Sequence, residues 1–285
     1  MHMNKELTNM TTAAFFKRFS WLASATVILG AAAPAAHAEA GNPLTDTVSV
    51  SLGGFLLDTK TKLRVNGDIR TGDEIDADKD LGLKDSDRFR FDGYWRMTPR
   101  QKIRVMYFNT DNSNTRTLNR TIEIGDNSYP VNLEVNAGVK TTVGALSYEF
   151  DFWHSDKYEL GLIGGIHNLK FNFHINATAN SLNASESNTA QANGPLPLIG
   201  IHGVWRWNEK FFLDAGGQFL KINYDPYNGR FTDYTASFNW QATKNFAVGA
   251  GWNSFVTKVD VSGSQFDGSL RWAYGGMRVF VTGSF

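Results

Sequence analysis

Apolar and polar residues alternate one by one along many segments of this chain. In residues 88–97 the odd positions are mainly apolar, and the even positions are Arg88, Arg90, Asp92, Tyr94 and Arg96. The same period of two recurs in residues 102–107, 146–150, 158–162, 199–207, 234–240 and 246–253. Because neighbouring side chains on a strand point to opposite faces, each segment predicts a β-strand with one apolar and one polar face.

Ten strands are predicted, and their connections alternate between short and long. The strands are expected near residues 46–57, 87–98, 100–112, 138–153, 156–177, 195–207, 209–224, 228–242, 245–262 and 264–285. The short connections are 98–100, 153–157, 207–210 and 242–245. The long polar connections are 58–86, 112–138 and 177–195, with shorter ones at 225–228 and 262–265 on the same side. This alternation predicts an all-β fold, a transmembrane antiparallel up-and-down β-barrel.

The last predicted strand changes phase in its middle. Trp272 and Tyr274 lie on even positions, whereas Met277 and Val279 lie on odd ones. We interpret the change at Gly275-Gly276 as a β-bulge within one long strand. A hairpin at this point would instead give eleven strands, or twelve if residues 62–69 also form one, and eight strands is a further alternative.

Aromatic residues are expected at both edges of the membrane, where amphipathic rings are favoured. One group lies near the short turns and comprises Trp95, Trp153, Trp205, Trp207 and Trp240. The other lies toward the long loops and comprises Trp252, Trp272 and Tyr274.

The N-terminal residues have the pattern of an export signal. Lys17 and Arg18 precede an apolar, alanine-rich run that ends in the small-x-small sequence Ala36-His37-Ala38. Such a pattern predicts a cleaved signal peptide over residues 1–38, with Glu39 as the first mature residue. Residues 39–285 then form the barrel. The chain has no cysteine, which excludes disulfides and thiolate metal sites.

These features together resemble a bacterial outer-membrane β-barrel protein. The resemblance rests on Ala36-His37-Ala38, the alternating strands and the C-terminal residues 279–285, and it covers the whole mature chain. It implies an integral protein of the Gram-negative outer membrane. Its partners would be outer-membrane lipid, lipopolysaccharide and the barrel-assembly machinery. That machinery would recognise an insertion signal formed by Val279, Val281 and Phe285, although Gly283 stands where an aromatic is common.

The polar face of the strands would line the barrel interior. The lumen-lining candidates are Arg88, Arg90, Asp92, Arg96, Arg104, Glu149, Glu159, His202, Arg206, Asp214, Asp233 and Arg278. One hypothesis is a porin-like, narrow channel that passes or weakly binds small solutes. The alternative is a non-conducting barrel, filled by ion pairs, that presents its loops for adhesion or envelope integrity. With equal numbers of acidic and basic residues, no nucleic-acid partner is expected.

One acidic loop has part of the spacing of a calcium loop. Asp76, Asp78 and Asp80 alternate as in the first half of an EF-hand loop. The glycine and glutamate that the motif needs are replaced by Leu81 and Asp87. The three aspartates are therefore weak cation-binding candidates, and no metal or cofactor is predicted.

No catalytic residue is predicted. The ten-stranded omptin proteases use an Asp-x-His arrangement on the extracellular side, and no mature histidine here has Asp two positions before it. His154-Ser155 has the residue types of a hydrolase dyad, but neighbouring strand residues face opposite ways and the pair lies in a predicted turn. His167 and His202 are expected to form hydrogen bonds in the lumen. The chain is therefore expected not to be an enzyme.

Overall fold

The structure is a computed structural model. It describes residues 42–83, 87–177, 187–224, 227–262 and 267–285. The predicted signal peptide, with Ala36, Ala38 and Glu39 at its cleavage site, lies outside the described residues. Within the described ranges, no helix has the length and apolar character needed to cross a membrane.

Thirteen β-strands make up the described secondary structure. They are β1 (Val48–Val65), β2 (Ile75–Asp76), β3 (Asp87–Thr98), β4 (Gln101–Thr117), β5 (Ile122–Ile124), β6 (Asn127–Tyr129), β7 (Glu134–His154), β8 (Tyr158–Ala177), β9 (Ser187–Arg206), β10 (Phe211–Tyr224), β11 (Tyr227–Gln241), β12 (Phe246–Ser262) and β13 (Asp267–Ser284).

Ten of these strands form a closed antiparallel barrel, which confirms the predicted fold and strand count. Their order is β13-β12-β11-β10-β9-β8-β7-β4-β3-β1, and β1 pairs back onto β13. This closing register is continuous from Ser49↔Ser284 to Val65↔Gly268. β2 adds to the edge of β1 only, and β5 and β6 form a separate hairpin. Every wall strand therefore pairs with a strand on each side, although β9 and β10 pair only between Ile199–Arg206 and Phe212–Phe219.

The outer face is apolar. The tryptophans that the sequence places near the short turns all point outward, and Trp95, Trp205 and Trp240 are about half exposed (54%, 50% and 47%). Phe285, at the same end, is 71% exposed. A belt of outward aromatic rings at the short-turn end is typical of an interface girdle.

The predicted bulge in the last strand is absent. β13 pairs with β1 and with β12 in an unbroken register through Gly275 and Gly276. Its even positions face inward throughout, so that Trp272 and Tyr274 are buried inside the barrel and the expectation that they lie in the girdle is wrong. The apolar residues change from even to odd positions because the barrel interior changes from apolar to polar along its axis, and not because the strand contains a bulge.

The apolar part of the interior lies at the long-loop end. One connected core contains side chains from β1, β4, β7, β8, β9, β11, β12 and β13. Two segments, 66–83 and 118–133, extend beyond the barrel and contribute Ile75, Leu81 and Ile122 to this core. We refer to these two segments as the cap. Strands β1, β4 and β7 run further toward the cap than predicted, because the cap and core bury residues that read as polar loop.

The lumen wall is closely packed at Phe280. A Cβ placed on the inward-facing Gly249 would lie 2.3 Å from the Phe280 ring, whereas one placed on Gly164 would meet nothing within 4 Å. We expect Gly249→Val to lower the free energy of unfolding by about 1–3 kcal/mol through overpacking. Urea unfolding in lipid vesicles measures the effect. Gly164→Val is the matched control, and equal midpoints for the two variants would contradict the packing described.

Candidate functional site

The short-turn half of the lumen contains a buried ionic layer. Lys102 Nζ lies 2.7 Å from Glu149, 3.2 Å from Asp151 and 2.5 Å from Glu159. Arg96 Nη1 binds the other oxygen of Glu159 at 3.0 Å. The Lys102 side chain is only 1% exposed. Three carboxylates therefore converge on one ammonium in the middle of the barrel.

A second group continues this layer toward β9 and β10. His202 lies 3.0 Å from Glu149 through Nδ1 and 3.1 Å from Asp214 through Nε2. Arg104 donates to Glu149 at 2.8 Å. The chain of contacts joins four strands through side chains alone, so that it braces the barrel across its interior.

A third group lies nearer the apolar core. Asp92 accepts from Arg90 at 2.8 Å and from Arg278 at 2.9 Å. Arg90 also donates to Asn253 at 2.7 Å, and Asn253 donates to Asp233 at 2.7 Å. Charges of opposite sign alternate along this path, which satisfies groups that would be costly to bury alone.

Between these groups lies a polar cavity of about 140 Å³. Its lining includes eight of the predicted lumen residues: Arg90, Asp92, Arg104, Glu159, His202, Asp214, Asp233 and Arg278. His167 Nδ1, Gln218 Oε1 and Thr235 Oγ1 also border it and are buried without a hydrogen-bond partner in the described part of the chain. A polar cavity of this size has room for several water molecules, which such atoms require.

The other four predicted lumen residues do not line this cavity. Arg88 lies near the cap and donates to the backbone oxygen of Asp111 at 2.6 Å. Arg206 lies at the short-turn end, with a buried Nε. Arg96 and Glu149 belong to the ionic layer. Lys102 and Asp151 also belong to it and were not among the predicted lumen residues, although Lys102 has the same parity as Arg104.

Aromatic rings fill the lumen above the cavity. Phe55 from β1, Phe108 from β4, Tyr274 from β13 and Phe255 from β12 are all nearly fully buried. Tyr274 is the centre of the group, with ring centroids 5.7 Å from Phe55, 5.0 Å from Phe108 and 5.1 Å from Phe255. We refer to these four residues as the aromatic seal. All four belong to the connected apolar core described above.

The opposite mouth is covered by the residues that precede β1. Leu44 is buried, and the backbone oxygen of Pro43 accepts from Tyr94 Oη at 3.2 Å and from Arg96 Nη2 at 3.0 Å. The residues before β1 therefore cover part of the short-turn end of the polar cavity.

The cap is held together by Arg120. Its guanidinium binds Asp80 at 2.8 Å and Asp73 at 3.4 Å, and it donates to the backbone oxygen of Glu74 at 3.2 Å. Partial burial raises the pKa of Asp80, but hydrogen bonds from Arg120 and from the backbone N–H of Asp76 outweigh that effect, and the pKa is lowered overall.

The three acidic residues predicted as weak cation ligands have other contacts. The carboxylate of Asp80 binds Arg120, and that of Asp76 accepts from the backbone N–H of Lys79. The backbone oxygen of Asp78 accepts from Gly82. These side chains do not form a metal-like cluster in the described residues.

A different group has the geometry of metal ligands. One ligand atom each from Asp151, His154 and Glu159 lie within 4.8 Å of one another. Lys102 and Arg96 form ion pairs with the same two carboxylates. The positive charge that these acids need is therefore already supplied by the protein.

Solved structures with a similar fold are outer-membrane proteins. The outer membrane protease OmpT from Escherichia coli matches 85% of this chain and 98% of its own, with 14% identity and a TM-score of 0.56. The chain has the fold of the bacterial outer-membrane β-barrels. The translocator domain of the autotransporter NalP from Neisseria meningitidis is more distant, with 96% coverage of both chains, 10% identity and a TM-score of 0.39. No protein-family model matches, and no curated protein does.

The ionic layer makes a testable contribution to stability. Lys102→Met would leave Glu149, Asp151 and Glu159 without their shared ammonium. Breaking a buried ion pair in this way costs about 3–5 kcal/mol, so we expect a large fall in the urea midpoint. The exposed Lys170→Met on the outer face is the control and should change the midpoint little. A Lys102→Met barrel as stable as the native one would show that the layer carries no net stabilisation.

The cap should loosen in acid. Because the pKa of Asp80 is lower in the folded cap, its pairing with Arg120 stabilises the cap above the ordinary aspartate pKa of 3.8 and is lost as pH falls through the lowered value. The Gly82 amide donates to the backbone oxygen of Asp78 in the turn that contains Asp80. Its protection from hydrogen exchange, corrected for intrinsic rates, should fall below pH 3.8 by up to about fivefold, the range of a partly exposed ion pair.

Arg120→Gln should remove this dependence and lower the protection at neutral pH. Lys79→Gln is the control, since Lys79 is 80% exposed and 4.0 Å from Asp76. If amide protection in Arg120→Gln changed with pH as it does in the native protein, the pairing of Asp80 with Arg120 would not be the cause of the loosening in acid.

Proposed function

We propose that the protein is an integral outer-membrane barrel with a non-conducting lumen, and that its cell-surface role lies in the cap. The aromatic seal is the observation that carries this proposal. Phe55 and Phe108 are fully buried and Tyr274 lies between them, so a hydrated ion would have to displace packed rings. Removing such rings from their packing costs about 3–5 kcal/mol each.

The orientation follows from the two ends of the barrel. Short turns lie in the periplasm and longer connections outside the cell in barrels of this kind. The cap then faces the exterior. Phe285 lies at the periplasmic end with its ring exposed, and Val281 shares its outward face, an arrangement suited to recognition by the barrel-assembly machinery before insertion.

An enzymatic role is not part of the proposal. Ser155 Oγ donates to the backbone oxygen of Tyr158 at 3.1 Å and accepts from the backbone N–H groups of Lys157 and Tyr158. These contacts give it the role of a turn residue at the periplasmic end. His202 is held between Glu149 and Asp214, which suits a structural contact.

Conductance distinguishes the closed barrel from the narrow channel. In a planar bilayer with molar KCl, the native protein should give no unit current steps. Phe108→Ser with Tyr274→Ser should give steps or leak, because the seal above the polar cavity is broken. Tyr107→Ser with Ala273→Ser is the matched control, with the neighbouring residues on the outer face of the same two strands, and should stay silent.

Regular unit steps from the native protein would overturn the proposal and favour the narrow-channel hypothesis. Folding of each variant is checked by its heat-modifiable migration on a gel. If the variant with Phe108→Ser and Tyr274→Ser folds correctly and still gives no current, the result would also count against the proposal, because the aromatic seal would then not be the barrier to ions.

A further inference from the structure

Five basic residues lie directly opposite one another across five adjacent strands. The register pairs Lys62 with Arg271, Arg271 with Lys258, Lys258 with Arg230, and Arg230 with Lys221. The row crosses β1, β13, β12, β11 and β10 without interruption. We refer to these five residues as the basic ladder. Four spacings of about 4.8 Å give it a width of about 19 Å.

The basic ladder faces outward. Its sequence neighbours Phe231, Thr257 and Trp272 are buried inside the barrel, and alternation places the ladder residues on the other face. The side chains of Lys62 and Lys258 are 43% exposed, and the remaining three residues are exposed.

Without a bound partner, repulsion among the residues of the basic ladder destabilises the sheet. Like charges directly opposite each other on neighbouring strands are destabilising. Lys62 has Glu74 at 3.1 Å and Lys258 has Asp260 at 3.3 Å. The other three members have no carboxylate within 4 Å in the part of the chain that the structure describes. The ladder therefore carries positive charge that the described protein does not neutralise.

On β10 and β11, the ladder begins where the apolar exterior ends. On β11, Trp240 lies beside the periplasmic turn, and Arg230 lies 240 − 230 = 10 residues further along. Ten residues at about 3.3 Å each, tilted by about 40°, rise about 25 Å, which is the usual height of the apolar band. On β10, the exposed ring of Phe219 is two residues below Lys221. Arg230 thus lies near the level of the outer-leaflet headgroups. Because the row is perpendicular to strands tilted by about 40°, its two ends differ in height by about 12 Å.

Among the described residues of the opposite wall, no such row is present. Lys140 on β7 lies opposite Asp111, with their charged groups 3.5 Å apart. Lys170 on β8 lies opposite Thr142. The positive charge is therefore concentrated on one side of the barrel.

We propose that the basic ladder binds the phosphate groups of lipopolysaccharide in the outer leaflet. Arginine donates to phosphate oxygens in a bidentate manner, and the row presents two arginines and three lysines on adjacent strands. Bound phosphates would convert four repulsive neighbour contacts into bridged ones. The inference rests on the outer-membrane location proposed above.

The experiment uses the mature protein inserted in vesicles and compares two charge-matched variants. Arg230→Gln with Arg271→Gln removes two ladder charges, and Lys140→Gln with Lys170→Gln removes two charges from the opposite wall. Each protein is tested in phosphatidylcholine vesicles alone, with added lipopolysaccharide, with dephosphorylated lipopolysaccharide, and with inorganic phosphate. The readouts are the thermal midpoint and the apparent affinity for lipopolysaccharide.

Phosphorylated lipopolysaccharide should raise the midpoint of the native protein, and the other two additions should not. Loss of two cations near an anionic surface should weaken the affinity of the ladder variant about 30-fold. In phosphatidylcholine alone, the same variant should be at least as stable as the native protein, because repulsion is relieved. The opposite-wall variant should behave like the native protein in every arm.

Equal affinity in the native protein and the ladder variant would overturn the proposal, and so would an equal response to dephosphorylated lipopolysaccharide. A midpoint raised by inorganic phosphate alone would replace lipid binding with simple anion binding. Failure of the native protein to insert into phosphatidylcholine would instead refute the membrane location, so the two failures are distinguishable.

Discussion

The pairing of β1 with β13 is the interaction on which the rest of the structure depends. Seventeen register pairs from Ser49↔Ser284 to Val65↔Gly268 join the two ends of the chain. Without them the sheet would have two open edges, and unpaired backbone groups cannot be tolerated in a lipid environment. Once the sheet is closed, its inner face has a fixed volume that must be filled and neutralised from within.

The interior meets that requirement in two chemically different ways. Near the short turns, Lys102 and its three carboxylates supply charge balance and cross-links. Toward the cap, rings such as Phe108 and Tyr274 supply apolar packing of the kind found in a soluble core. This second region is continuous with the cap, which contributes side chains to the same core. A single barrel therefore has a polar interior in its short-turn half and an apolar interior in the half next to the cap.

This change of interior explains what the sequence could and could not predict. Period-two alternation located the ten strands, because each of them has one apolar face and one polar face over part of its length. Residues 88–97 of β3 are an example. The same rule failed at Trp272 and Tyr274, since it assumed a polar lumen along the whole strand. It also ended β1 too early, because residues that pack against the cap do not alternate against lipid.

Register is the other quantity that single-strand patterns do not contain. Lys102 has the parity of a lumen residue, but only the pairing of β4 with β7 places it opposite Glu149. The basic ladder has the same origin: its five members are spread over more than two hundred residues, and each looks like an ordinary surface cation. Side chains that are inward and charged can neutralise one another, whereas an outward row of one sign cannot. The interior of this barrel is therefore explained by its own contacts, whereas the unbalanced charge on its exterior is what the proposed phosphate binding would neutralise.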